Sequence, residues 1–173
     1  MANIDNPRGL WPIGHLTGGR ITTRDFTVTT GATIYRGDIV EMIAGGTVDP
    51  AAATDGVKII GVAANYVNDA ASAGSKKIAV YCDPFIIFGI QSLTGTTIAV
   101  TDVGESADPD TYAAGSPTTY LSSTELAASS AQTALFHIIG LVDEPNNAWG
   151  EHADVMVIFN EHRYKASAGA AGI

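Results

Sequence analysis

Residues 31–40 read Gly31-Ala32-Thr33-Ile34-Tyr35-Arg36-Gly37-Asp38-Ile39-Val40, and residues 76–91 read Lys76-Lys77-Ile78-Ala79-Val80-Tyr81-Cys82-Asp83-Pro84-Phe85-Ile86-Ile87-Phe88-Gly89-Ile90-Gln91. Between 30 and 91, short runs rich in Ile, Val, Tyr and Phe are separated at close intervals by Gly, Asp, Asn and Pro. Such runs are typical of consecutive β-strands joined by turns. The stretch therefore predicts an all-β domain.

Two features of this stretch predict more than strand content. Gly61 stands in the middle of the apolar run 57–64, and a glycine inside a strand indicates a β-bulge or a close approach of another backbone. Ile86-Ile87-Phe88 places apolar residues on both faces of one strand. We therefore expect this strand to be covered on both sides, as in a barrel or beneath a subunit interface.

The flanking regions predict an arm, an excursion and a tail. Residues 1–19 are dense in Pro and Gly but carry large apolar side chains, which favours an extended arm on its own core or on a neighbouring subunit over a frayed terminus. Residues 92–134 read as a loop-rich excursion with one short helix over 124–132. Residues 165–173, mostly Ala, Gly and Ser, predict a flexible tail.

Two further apolar runs, 135–142 and 153–159, predict strands that close the same core. Period-two alternation places Val155, Val157 and Phe159 on one face. We therefore expect a single all-β domain over 20–164, a small β-barrel or sandwich, with the arm at 1–19 and the excursion at 92–134.

The charge balance argues against two classes of partner. The chain has 18 acidic and 9 basic residues, a net charge of −9, and the basic residues are scattered. Nucleic acids and anionic membranes both attract clustered Lys and Arg, so we expect neither as a partner. The amino terminus lacks the pattern of a secretory signal, and the longest apolar run is too short to span a bilayer. We therefore expect the protein to stay in the cytoplasm where it is made, or in an assembly formed there.

The sequence contains no recognisable catalytic motif. The single cysteine, Cys82, lies in an apolar strand pattern and is expected to be buried and structural. Neither a phosphate-binding glycine loop nor a Gly-x-Ser-x-Gly elbow is present. We therefore expect no enzymatic activity and no cofactor.

One set of residues resembles metal ligands in type but not in spacing. It comprises His137, Glu151, His152, Asp154, Glu161 and His162. Because the His-x-His order of a cupin is absent, we interpret these residues as loop or interface positions and predict no metal site. The acidic pairs Asp108 with Asp110 and Asp143 with Glu144 lack calcium-loop spacing and are interpreted as turn residues.

The order of several motifs resembles the capsid decoration (cement) proteins of tailed bacteriophages, a small β-barrel type that stabilises the head. The resemblance covers about residues 30–91 and 135–164. The motifs are Gly37-Asp38-Ile39-Val40, Ile60-Gly61-Val62-Ala63-Ala64, Ile78-Ala79-Val80-Tyr81, Asp83-Pro84-Phe85-Ile86-Ile87-Phe88, Ile138-Ile139-Gly140-Leu141-Val142, Asp143-Glu144-Pro145-Asn146-Asn147 and Phe159-Asn160-Glu161-His162.

The resemblance implies a structural virion protein. Such a protein would form a homotrimer on the outer surface of an assembled capsid and cement neighbouring major capsid proteins. From their apolarity next to turn residues, Leu10, Trp11, Ile13 and Trp149 are the expected capsid or subunit contacts. Two alternatives stay open: a carbohydrate-binding or fibre-like virion module that uses aromatic side chains, and a small cupin-like metalloenzyme.

Overall fold

The computed structural model describes residues 3–52, 58–70, 74–112, 114–129 and 134–165. The part of the predicted tail beyond residue 165 lies outside this set. The described strands are β1 (Trp11–His15), β2 (Arg24–Thr27), β3 (Thr33–Ile34), β4 (Ile39–Met42), β5 (Val48–Pro50), β6 (Ile59–Ala63), β7 (Val67–Asn68), β8 (Lys77–Tyr81), β9 (Ile86–Gln91), β10 (Ser106–Ala107), β11 (Phe136–Leu141) and β12 (Asp154–Phe159).

These strands form two five-stranded sheets and one short pair, and all paired strands are antiparallel. Sheet I has the order β1-β9-β12-β11-β10, and sheet II has the order β2-β8-β6-β4-β5. Strands β3 and β7 pair only with each other. The predicted all-β class is confirmed. Of the two architectures that the sequence left open, the described strands form the sandwich-like one, and they do not close into a barrel.

The larger hydrophobic core lies between the two sheets. Alternate residues of β9 and β12 supply most of sheet I's contribution, and all of them are buried. The ring of Phe159 packs against Phe88 at a centroid distance of 5.7 Å and against Phe136 at 5.0 Å. Ile39 and Val62 contribute from sheet II. The predicted alternation of Val155, Val157 and Phe159 is confirmed, since all three lie in this core.

A second core covers the opposite face of sheet II. Val40, Ile60 and Val80 belong to it, and the short β3–β7 pair covers them with Ile34 and Val67. Every residue of β6 is buried as a result. Strand β6 is therefore enclosed on both faces, which accounts for its continuous apolar sequence.

Gly61 forms the bulge that the sequence predicts. Val40 pairs with Gly61 and Glu41 with Ile59, so Ile60 is an extra residue in β6. This insertion turns Ile60 toward the second core, while Ile59 and Val62 face the first. Gly61 has a φ of +140°, and a Cβ at this position would lie 1.9 Å from the carbonyl oxygen of Tyr81. Both expectations for this glycine, a bulge and a close backbone approach, are confirmed.

Strand β9 is covered on its inner face and only partly on its outer face. Ile86, Phe88 and Ile90 are buried between the sheets, whereas Ile87 is half-exposed. Trp11 covers Gly89, where an added Cβ would lie 2.3 Å from the indole ring. The expected two-sided burial of this strand is therefore correct for Gly89 and incomplete for Ile87.

The excursion at 92–134 contains little regular structure in its described part. It includes β10, one 3-10 turn at Val100–Asp102 and several isolated bridges. The predicted helix over 124–132 is wrong for 124–129, and 130–132 lie outside the described residues. Leu126 instead donates its N–H to the carbonyl of Gln91 (2.8 Å) and accepts from Leu93 N–H (3.0 Å). Pairing with the end of β9 therefore overrides local helix propensity.

No helix in the described parts of the chain is long and apolar enough to cross a bilayer.

Candidate contact surface

An exposed apolar patch lies at one end of the sandwich and is called here the Phe85 patch. It consists of Leu16, Phe85 and Tyr164, which are 53%, 44% and 46% exposed. Leu16 donates its N–H to the carbonyl of Phe85 (2.9 Å), so these two residues are adjacent. Phe85 and Tyr164 line a cleft of about 460 Å³ together with Thr22, Arg24, Cys82, Asp83 and Pro84. Exposed apolar groups adjoining a cleft are typical of interaction surfaces.

The turn between β8 and β9 holds Phe85 in place. Oδ1 of Asp83 accepts the N–H of Phe85 (2.9 Å), and Oδ2 lies 3.1 Å from Nε2 of His15 at the end of β1. Partial burial acts to raise the pKa of Asp83, but these two hydrogen bonds, together with the charges of His15 and His162, outweigh it and the net shift is downward. Asp83-Pro84 thus forms a turn in which the Asp83 carboxylate joins two strands.

Strand β1 borders the patch and is an edge strand of sheet I. It pairs with β9 on one side and with no other described strand. Pro12 pairs with Phe88 and Gly14 with Ile87, so Ile13 is the extra residue of a bulge in β1. An edge strand offers unpaired backbone groups to a partner, and a bulge limits how far such pairing can extend.

The four sequence-predicted contact residues occupy different environments. Leu10 is only 3% exposed and belongs to the core between the sheets, so its apolar contacts are internal. This burial corrects the prediction of Leu10 as a contact, since its side chain is not on the surface. Trp149 is half-buried and packs against the same core. Ile13 is 39% exposed and lies on the surface.

Trp11 has two partners within its own chain. Its ring covers Gly89, and the guanidinium carbon of Arg8 lies 3.8 Å from the ring centroid. Arg8 is held in turn by Asp154, with Nη2 and Oδ2 3.1 Å apart. Trp11 therefore fastens the N-terminal segment to the outer face of sheet I, which is the internal alternative that the sequence allowed for the arm.

Cys82, His137 and His162 lie in three separate environments. Cys82 is half-buried rather than buried, and burial raises the pKa of its thiol. His137 contacts the hydroxyl of Ser106 through Nδ1 (3.1 Å). His162 is 5% exposed, and burial lowers its pKa to about 4. Among the described residues, no group of three potential metal ligands includes His137 or His162.

A tyrosine cluster forms a second surface feature that the sequence did not predict as a unit. The ring centroid of Tyr66 lies 5.5 Å from that of Tyr35 and 4.7 Å from that of Tyr120. Tyr120 is 50% exposed, and its backbone φ of +59° is unusual for a tyrosine. Tyr35 lies against Gly115, where an added Cβ would be 2.2 Å from the ring. The three rings come from separated segments, which no local pattern would have shown.

No protein-family model matches the chain, and no curated protein has a significantly similar sequence.

Proposed function

We propose that this chain is a structural virion protein that binds the outer surface of an assembled phage capsid as a homotrimer and cements neighbouring major capsid proteins. The Phe85 patch carries the proposal. It places three exposed apolar side chains next to the edge strand β1, where a second protein can cover both the patch and the strand edge. The sequence resemblance to decoration proteins supports the same function.

The proposed function has a simple thermodynamic basis. A protein that binds only the assembled shell stabilises the shell by mass action, because disassembly would cost the binding free energy of every bound copy. The binding free energy of each copy can then be modest, because the stabilisation of the shell is the sum over all bound copies. Burial of the exposed part of the Phe85 patch would supply part of that binding free energy at about 25 cal/mol per Å² of apolar surface.

The test combines solution mass with shell binding. Light scattering of the purified chain is expected to give a trimer, and mixing with phage shells that lack a decoration protein is expected to saturate them and raise their melting temperature. Phe85→Asp places a charge in the patch and should abolish trimerisation or shell binding. Val100→Asp is the matched control, because Val100 is 64% exposed and lies outside the patch.

Two results would contradict the proposal. One is a wild-type monomer that does not bind shells. The other is equal behaviour of the Phe85→Asp and Val100→Asp variants, which would exclude the patch as the contact surface.

The tyrosine cluster favours a second candidate, a carbohydrate-binding or fibre-like virion module. Aromatic faces stack on sugar rings, and Tyr66 and Tyr120 present two adjacent rings near the surface. A glycan screen would support this candidate if binding were lost in Tyr120→Ala and retained in Tyr164→Ala. If both variants still bound the glycan, the tyrosine cluster would not be the glycan-binding site.

A further inference from the structure

Three side chains from distant parts of the sequence converge on the surface next to the end of β9. They are Asp5 from the N-terminal segment, Glu125 from the excursion and His152 from the loop between β11 and β12. One potential ligand atom of each lies within 4.8 Å of the others. We propose that these residues bind a divalent transition-metal ion of the Zn²⁺ type, and that the ion fastens the N-terminal segment to the sandwich.

Two atoms of the cluster lack the partners that buried polar atoms normally have. Oε1 of Glu125 and Nδ1 of His152 are inaccessible to solvent and have no hydrogen-bond partner. Because buried polar atoms are almost always hydrogen-bonded, two such atoms in one cluster point to a missing ligand. A metal ion would satisfy both.

The distances around His152 suit coordination better than hydrogen bonding. Nδ1 lies 3.8 Å from Oδ1 of Asp5, and Nε2 lies 3.8 Å from Oε1 of Glu151. Both separations exceed hydrogen-bond length. Two ligand atoms bound to one tetrahedral Zn²⁺ at roughly 2.0–2.2 Å are about 3.4 Å apart. The widest pair in the cluster, within 4.8 Å, would have to close by up to about 1.4 Å, and the Asp5 side chain is 57% exposed.

The side chain of Gln91 fixes the backbone on both sides of Asp5. Its Oε1 accepts the N–H of Asn6 (2.7 Å), and its Nε2 donates to the carbonyl of Ile4 (3.1 Å). Gln91 itself is 3% exposed. The N-terminal segment therefore reaches the cluster in a defined position rather than as a free end.

The same residue also holds the other two segments. Nε2 of Gln91 donates to the carbonyl of His152 (3.3 Å). The backbone carbonyl of Gln91 accepts the N–H of Leu126, the neighbour of Glu125. One buried glutamine thus positions all three ligand-bearing segments.

Backbone geometry and electrostatics agree with a bound cation. His152 has a φ of +54°, a left-handed conformation that is uncommon outside glycine and clusters at functional sites. A divalent ion would offset the repulsion between the two carboxylates.

The donor set selects the class of ion. One imidazole nitrogen and two carboxylate oxygens suit Zn²⁺ and similar transition-metal ions, whereas Ca²⁺ prefers six to eight oxygen ligands. Three protein ligands leave a further coordination position for water. The proposal assigns the ion a fastening role, and it does not depend on the virion function.

Isothermal titration of the full chain, freed of any histidine tag and treated with chelator, tests the site with ZnCl₂. One Zn²⁺ is expected to bind per chain, and hydrogen exchange of the Asn6 amide is expected to slow when it does. His152→Asn removes the imidazole but keeps a residue that tolerates a positive φ. It should weaken Zn²⁺ binding at least tenfold, by comparison with the roughly 10–100-fold loss on removing a supporting outer group.

His137→Asn is the matched control, because it removes a half-buried imidazole outside the cluster and should leave Zn²⁺ binding unchanged. If the His152 variant does not fold, Glu125→Gln replaces it, because this substitution preserves side-chain shape and is also expected to weaken Zn²⁺ binding. The proposal is overturned if the wild-type chain does not bind Zn²⁺, or if Glu125→Gln and His152→Asn bind it as tightly as the wild type. Tighter binding of Ca²⁺ than of Zn²⁺ would overturn the assigned class of ion.

Discussion

Replacing Gly61 with alanine tests whether the bulge in β6 is as tightly constrained as its geometry indicates. The added Cβ would lie 1.9 Å from the carbonyl oxygen of Tyr81 and 2.8 Å from its carbonyl carbon. The closest ordinary C···O contacts are about 3.3 Å, so β8 would have to move by about 1.4 Å. Since the clashing atoms belong to the backbone, no side-chain rotation relieves the contact.

The expected cost has two parts. A φ of +140° is strained for any residue with a Cβ, at about 1–3 kcal/mol. Displacing β8 weakens its ladder with β6, in which Val62 pairs with Tyr81 and Ala63 with Val80, at about 0.5–1.5 kcal/mol per hydrogen bond. We therefore expect Gly61→Ala to lower the free energy of unfolding by about 3 kcal/mol or more, which is exceptional for one methyl group.

Urea denaturation followed by circular dichroism and tryptophan fluorescence measures this change. Gly14→Ala is the matched control, because Gly14 also lies in a strand but its added Cβ would meet only the Cδ1 of Ile87, at 3.9 Å. The control should remain within about 0.5 kcal/mol of wild type. If the two variants differ by less than about 1 kcal/mol, the argument from close backbone approach is refuted.

Two further predictions concern buried titratable groups. The pKa of His162 is about 4 in the folded protein against 6.5 for an exposed histidine, so the unfolded chain binds the proton first and stability falls as the pH drops through this window. Lowering the pH from 7 to 5 should cost about 2 kcal/mol through this group, and urea titrations should show that contribution missing in His162→Gln. Burial raises the pKa of Asp38 from 3.8 to about 6, so ionisation of this group opposes folding at higher pH. Asp38→Asn should therefore stabilise the protein by about 3 kcal/mol at pH 8 and by less than about 1 kcal/mol at pH 4, and equal effects at both pH values would contradict this account.

Local sequence pattern predicted the features of this fold that depend on neighbouring residues. Period-two alternation placed Val155, Val157 and Phe159 on one buried face, and turn residues separated the strands. Gly61 was identified as a bulge position because a glycine within a strand usually marks a bulge or a close approach of another backbone. Local pattern wrongly predicted a helix over 124–129, because hydrogen bonds with the end of β9 hold this segment in a non-helical conformation.

The candidate sites depend on contacts that no local pattern contains. Leu10 and Trp11 are equally apolar neighbours in sequence, yet one is buried between the sheets and the other lies on the outer face of sheet I. The difference arises because Trp11 lies opposite Gly89 in the β1–β9 pair, more than 70 residues later, whereas Leu10 precedes β1 and donates its N–H to the carbonyl of Gly37 (3.0 Å).

The sequence by itself determined the all-β class, the bulge at Gly61 and the turn at Asp83, because strand alternation and turn chemistry act over a few residues. Only the tertiary structure brought Leu16 and Tyr164 beside Phe85, and Asp5 and Glu125 beside His152. The physical reason is that such groupings depend on strand order and register, which are fixed by packing the whole core rather than by any one segment.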